Sequence, residues 1–230
     1  MNDFTQSDGG LLIRIQEALH AEWLTPVMKF ITLFGENGIF WILVCLLLLI
    51  FKRTRRLGII CSLSLLFTFI CCNLIIKPSV DRTRPWVVFR EVIRLLAPPG
   101  DASFPSGHSA NSMGPAWAIF LASSPIKLKG SWARSYDETP CLGWRGDGVN
   151  AKTVHWFGIG AVILALLIGL SRLYLGMHYP SDVTVGLLLG MACASVAFFI
   201  IRRIEIKRNL LIGEKGLKRR DNSGKNSRDI

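Results

Sequence analysis

Residues Leu57 to Ile76 read LGIICSLSLLFTFICCNLII, without one charged side chain. A helix needs about 20 apolar residues to cross the hydrocarbon core of a bilayer, and inside it every backbone polar group must be satisfied within the segment. Val183 to Ile201 is equally free of charge, and Val154 to Leu170 is apolar after its first turn. Gly38 to Phe51 closes a greasy segment whose start can be placed as early as Leu24, and Ser109 to Ser123 is shorter and more mixed. Leu11 to Trp23 has the pattern of an amphipathic helix lying in the interface plane. The fold expected is therefore all-α: a polytopic membrane helical bundle of five transmembrane helices preceded by an N-terminal amphipathic helix. A sixth span near residues 11 to 34 is the alternative, opposed by Glu17, Glu22 and Lys29. A composition of 50% hydrophobic and 19% charged residues agrees with a membrane protein. Asp3 and Asp8 stand where a cleavable signal peptide would carry positive charge, so none is expected.

The net charge of +11 would suit a nucleic-acid binder if it were gathered on one face. It falls instead into three clusters: Lys52 to Arg56; Lys127, Lys129, Arg134, Arg145 and Lys152; and Arg202, Arg203, Lys207 and Arg208. If the chain crosses at each apolar run, all three lie on the same side, which the positive-inside rule makes cytoplasmic. The charge therefore reports topology in a multi-pass protein of the cell membrane, and no nucleic-acid partner is expected. Residues 124–153 read as a cytoplasmic insertion loop, and 206–230 as a basic, disordered cytoplasmic tail, leaving 1–205 as one membrane domain. Five of the six cysteines sit in apolar runs and Cys141 in the loop, with no metal-binding spacing, as small core residues do.

The same topology puts residues 77 to 108 and 171 to 182 outside. In KPSVDRTRP, an interfacial anchor accounts for Lys77 and Trp86 by themselves. Lys77, Arg82 and Arg84 together run against the positive-inside bias, and a phosphate group explains them, since Arg offers a planar fork of donors and Lys a point charge. In DASFPSGHSA, Pro105, Ser106 and Gly107 make a capped helix start whose first N–H groups can approach an anion. Capping leaves His108 unexplained. In SRLYLGMHYPSDV, a carboxylate at Asp182 accepting from one ring nitrogen of His178 would leave the other nitrogen free and basic. A histidine becomes a nucleophile or a base in that way. His20 and His155 have no such surroundings and read as incidental.

Lys77, six residues, then Arg84-Pro85; Pro105-Ser106-Gly107-His108; and Ser171-Arg172, five residues, His178, three residues, Asp182 resemble, in order and in every spacing, the three signature motifs of the type 2 phosphatidic acid phosphatase (PAP2) superfamily. The motifs cover residues 77 to 182, and the helical pattern extends the likeness from about Leu11 to Arg203. In layout the chain resembles bacterial undecaprenyl-diphosphate phosphatases of that superfamily, some of which carry Asp where Gly107 stands. The resemblance implies that His178 attacks the terminal phosphorus with Asp182 orienting it. It implies that His108 protonates the leaving oxygen, and that Lys77, Arg84, Ser106, Gly107 and Arg172 hold the phosphoryl oxygens. It implies no metal and no cofactor. Arg82 lies outside the motif and stands as an auxiliary candidate. The implied activity is hydrolysis of a membrane lipid phosphate on the outer leaflet, undecaprenyl diphosphate first, with phosphatidate or phosphatidylglycerophosphate as alternatives. Transfer to a second lipid, or a relic site in a transporter or scaffold, are the competing readings. The related haloperoxidases are soluble, unlike this chain.

Overall fold

A computed structural model of the chain describes residues 3–123 and 151–226, and among them every regular element is helical. The helices are α1 (Asp3–Leu19), α2 (Leu24–Leu33), α3 (Ile39–Ile50), α4 (Arg55–Phe69), α5 (Lys77–Val80), α6 (Pro85–Val88), α7 (Gly107–Ser123), α8 (Ala151–Tyr174) and α9 (Pro180–Asn226). A π-helical stretch, Ile70–Ile76, joins α4 to α5 in one continuous rod. Among the described residues, four segments are long and apolar enough to cross a bilayer: Leu24–Ile50, Arg55–Val88, Thr153–Tyr174 and Pro180–Ile204. The fifth expected span is α7, with 17 residues, and it is the buried centre of the bundle.

The reason α7 sits centrally is the size of its side chains. Ala110, Met113, Ala116, Ala118 and Ala122 are buried along it. A Cβ added to Gly190 of α9 would lie 2.6 Å from the Ala110 carbonyl oxygen and 2.8 Å from Gly114 N, so these two backbones all but touch. Close approach of small residues is what holds helices together where lipid tails are as apolar as the side chains. Trp41 of α3 packs with Met113, Ala116 and Ala165 on one flank of α7. Leu43, Leu47, Leu166, Leu188 and Phe199 point outward, as a lipid-facing surface requires.

The structure differs from expectation at three places. The amphipathic helix runs from Asp3 to Leu19 instead of Leu11 to Trp23. It docks through Gln16, which donates to the carbonyls of Ile93 at 2.8 Å and Tyr174 at 2.9 Å and accepts from Ile93 N. The greasy segment from Leu24 is kinked between α2 and α3 by left-handed Asn37 (φ 49°) and Gly38 (φ 68°). Backbone helix continues to Asn226 through the segment expected to be disordered, in keeping with its Glu, Lys, Arg and Leu residues, which favour helix. The expected insertion loop lies, over 124–150, outside the described residues.

Candidate active site

One end of the bundle gathers the loops at 81–106 and 175–179 and the turn between α2 and α3 around a cavity of about 780 Å³. Lys77, Arg84, Gly107, His108, Arg172 and His178 all line it. Residues separated by up to about a hundred positions are thus brought to one place, as their motifs anticipated.

His178 lies in the short turn between α8 and α9 and is 2% exposed. Its Nδ1 is 2.8 Å from the carbonyl oxygen of Ser103. A carbonyl only accepts, so Nδ1 carries the proton and Nε2 is the unprotonated, accepting nitrogen. That Nε2 is 3.4 Å from Arg84 Nη1, on the cavity side. Burial pushes the pKa of His178 down to about 4, against the raising influence of Asp182 and with help from Arg172 and Arg84. The imidazole is therefore neutral, hence nucleophilic, at ordinary pH.

The expected direct bond from His178 to Asp182 is replaced by the Ser103 carbonyl, because Asp182 Oδ2 lies 3.5 Å from Nδ1. Fully buried Asp182 accepts instead from Ser103 Oγ at 2.5 Å, Tyr179 N at 3.0 Å and Arg82 Nη1 at 2.6 Å. It stabilises positive charge on the ring at close range, and it fixes the segment that orients the ring.

Arg84 is 6% exposed and donates to the carbonyls of Asp101 (2.9 Å) and Met177 (3.0 Å). Arg172 donates from Nη1 to Thr32 Oγ1 at 2.9 Å, while its buried Nε has no hydrogen-bond partner among the described residues. A buried guanidinium with a donor to spare, lining a cavity with Lys77 and Arg84, is suited to an anion. The N-terminus of α7 adds first-turn N–H groups that have no partner inside the helix. At Gly107 an added Cβ would lie 3.3 Å from Asn73 Oδ1 and 3.7 Å from Lys77 Nζ, so the bare backbone keeps this side of the cavity open.

Ser106 departs from its expected role. It is fully buried and does not line the cavity. Its Oγ accepts from Ser109 N (3.4 Å) and Ser109 Oγ (2.9 Å), which caps α7, and its N–H donates to the Asp182 carbonyl. Arg82 does not line the cavity either, and lies behind Asp182.

Three groups at the site were not singled out in the sequence. Asp101 ion-pairs with both Lys77 and Arg84. Burial alone would raise its pKa, but these two cations hold it below the usual carboxylate range. Glu36 places Oε2 3.4 Å from His108 Nε2. Asn73 sits in the π-helical stretch and lines the cavity. An acid inside an apolar run was the available signal for Glu36, and an acid four residues before Pro105 the signal for Asp101.

The PAP2 superfamily pattern matches residues 57–205, which include all three motifs and every cation of the cavity. The chain belongs to the PAP2 superfamily. This PAP2 chain is 30% identical over 167 residues to the undecaprenyl-diphosphatase of Sulfolobus acidocaldarius, covering 73% of this chain and 66% of that protein. It is 28% identical over 148 residues to the lipid A 4'-phosphatase of Bacteroides thetaiotaomicron, covering 62% and 53%. It is 29% identical over 190 residues to phosphatidylglycerophosphatase B of Bacillus subtilis, covering 80% and 77%. The chain thus spans just under two thirds of the first relative and about half of the second. Among solved structures, the transmembrane PAP2-type phosphatidylglycerolphosphate phosphatase of Bacillus subtilis superposes with a TM-score of 0.60 at 24% identity, covering 90% of this chain and 88% of that one. Aquifex aeolicus LpxE superposes with a TM-score of 0.55 at 20% identity, covering 82% and 92%. These likenesses show the fold: a helical bundle of the transmembrane PAP2 kind.

Proposed function

We propose that this PAP2 chain is an integral-membrane lipid phosphatase that passes the terminal phosphoryl group of its substrate to His178 and then to water. The observation that carries the reading is the unprotonated Nε2 of His178, held by a long 3.4 Å contact from Arg84 Nη1, in a cavity lined also by Lys77, Arg172 and the start of α7.

In the first step Nε2 attacks phosphorus, the bond from phosphorus to the leaving oxygen breaks, and that oxygen takes a proton from His108. Lys77, Arg84, Arg172 and the Gly107 N–H face the charge that develops on the phosphoryl oxygens. In the second step water attacks the phosphohistidine, His108 takes its proton, and inorganic phosphate leaves with Nε2 restored. Burial, together with Arg172, His178, Lys77 and Arg84, holds His108 toward its neutral form. The negative charge of the bound substrate phosphate, with Glu36 Oε2 3.4 Å from His108 Nε2, is what favours its charged form for this step.

The leading substrate is undecaprenyl diphosphate, cleaved on the outer leaflet to the monophosphate. An apolar pocket of about 290 Å³ adjoins the cavity, sharing Asn37, Phe69 and Asn111 and lined further by Ile42, Leu46, Leu65 and Leu66. A phosphate on the cations leaves room there for the first units of a hydrocarbon tail, which a soluble ester would not need. The likeness to phosphatidylglycerophosphatase B, which spans 77% of that relative, favours phosphatidylglycerophosphate as the second reading. Phosphate release by the purified protein from undecaprenyl diphosphate, phosphatidylglycerophosphate, phosphatidate and lipid A, with chelator present, decides among them. Fastest turnover of the diphosphate supports the leading reading, and a newly phosphorylated acceptor lipid in place of free phosphate would refute hydrolysis.

A further inference from the structure

Once the cavity cations are assigned, Arg82 remains, one of three cations in the first motif region and the one turned away from the cavity. Its guanidinium is wedged between two carboxylates. Nη1 donates to Asp182 Oδ1 at 2.6 Å and to Ser181 Oγ at 2.7 Å, while Nη2 donates to Asp8 Oδ2 at 2.9 Å. The plane lies over the Tyr179 ring, with Cζ 3.8 Å from the centroid. The backbone carbonyl of Arg82 accepts from Ser103 N at 2.8 Å. Arg82 therefore grips both groups that flank His178 Nδ1: the Ser103 segment and Asp182.

Asp8 completes the latch from α1. It is 7% exposed, accepts from Ser181 N at 3.1 Å, and pairs with Ser181 Oγ and Arg82. A helix that only anchored the chain at the interface would have no reason to bury a carboxylate at the first turn of α9. A buried carboxylate held by two hydroxyl or guanidinium donors and a backbone N–H is a built contact, since an unpaired charge there is costly.

We propose that Arg82 and Asp8 are positioning residues for the His178 and Asp182 pair, so that α1 is a working part of the active site. This rests on His178 being the nucleophile. The bridge fixes where Asp182 and the Ser103 carbonyl stand, and hence which way Nε2 points, while touching no substrate.

The test uses the purified full-length chain in detergent micelles with undecaprenyl diphosphate labelled in its terminal phosphate. Arg82→Gln is expected to lower kcat by about 10- to 100-fold with KM changed by less than about twofold, because ground-state phosphate contacts are intact. Asp8→Asn should lower kcat several-fold, and the double variant should be no slower than Arg82→Gln, since Asp8 acts through Arg82. Arg82→Lys should recover little, because an ammonium cannot bridge two carboxylates as a planar fork does. A rise in KM at unchanged kcat, or multiplying effects of the two single changes, would overturn the proposal. Should Arg82→Gln fail to fold, Asp8→Asn carries the test, and wild-type kcat in that variant overturns it. His178→Ala in the same assay separates the layers: phosphate release by that variant refutes the nucleophile, whereas an inactive His178→Ala beside fully active Asp8→Asn and Arg82→Gln refutes the latch alone.

Discussion

His178 presents Nδ1 to the carbonyl oxygen of Ser103 at a distance of 2.8 Å. The tautomer of this histidine, the proposed nucleophile, is thus set by a main-chain acceptor, and Asp182 acts one contact further out through Ser103 Oγ. A carbonyl cannot take the proton away, so the ring keeps Nε2 unprotonated through the whole range in which it is neutral.

That range reaches to low pH. With the His178 pKa pushed down to about 4, chiefly by burial, the acid limb of kcat/KM is expected near pH 4 and not near 6.5. Asp182 raises this pKa, so Asp182→Asn should move the limb lower still while reducing kcat. A pH profile of both proteins checks this, and a wild-type limb at 6.5 refutes it. The sign for stability follows from the same shift. Between pH 6.5 and about 4 the unfolded chain binds a proton at His178 that the folded chain refuses, so stability falls as pH drops through that window.

Asp101 occupies Lys77 and Arg84 with its carboxylate, and a phosphoryl group must compete with it for the same donors. Asp101→Asn removes the competing charge. Inhibition by inorganic phosphate or vanadate should tighten by about tenfold in that variant. Weaker inhibition would mean that Asp101 holds the two cations in place for the substrate instead.

Gly176 carries φ +70°, and an added Cβ would lie 2.4 Å from the Ile93 carbonyl oxygen. This turn places His178 two residues later. Gly176→Ala should cost about 1–3 kcal/mol of stability and lower kcat as the turn shifts. Thermal unfolding in detergent beside phosphate release reads both, and a variant with wild-type melting and turnover contradicts the packing described.

The proposed outward orientation of the site is tested at Thr83, an exposed position on the loop that follows α5. Thr83→Cys in intact cells should react with a membrane-impermeant thiol reagent. Labelling only after lysis would invert the topology.

The apolar runs and the three motif spacings were readable in the chain itself, because length, charge and fixed offsets are local properties. Leu57 to Ile76 announces a span by composition alone, and the four-residue step from His178 to Asp182 keeps a histidine and a carboxylate within reach of each other at the start of α9. The grouping of Lys77, Arg84, His108, Arg172 and His178 followed from topology once the spans were counted. What each polar group touches could not be read that way. Ser106 turned into the α7 cap, Arg82 turned to Asp8 across 74 positions, and Asp101 met both cations. Only packing decides which of several donors and acceptors within reach become partners, because burial makes an unpaired charge costly and hydrogen-bond geometry selects among the candidates. The sequence by itself therefore determined a membrane bundle of the PAP2 kind with its motif residues at fixed offsets, and the tertiary structure decided that the Ser103 carbonyl meets His178 Nδ1 and that α1 reaches Asp182 through Arg82.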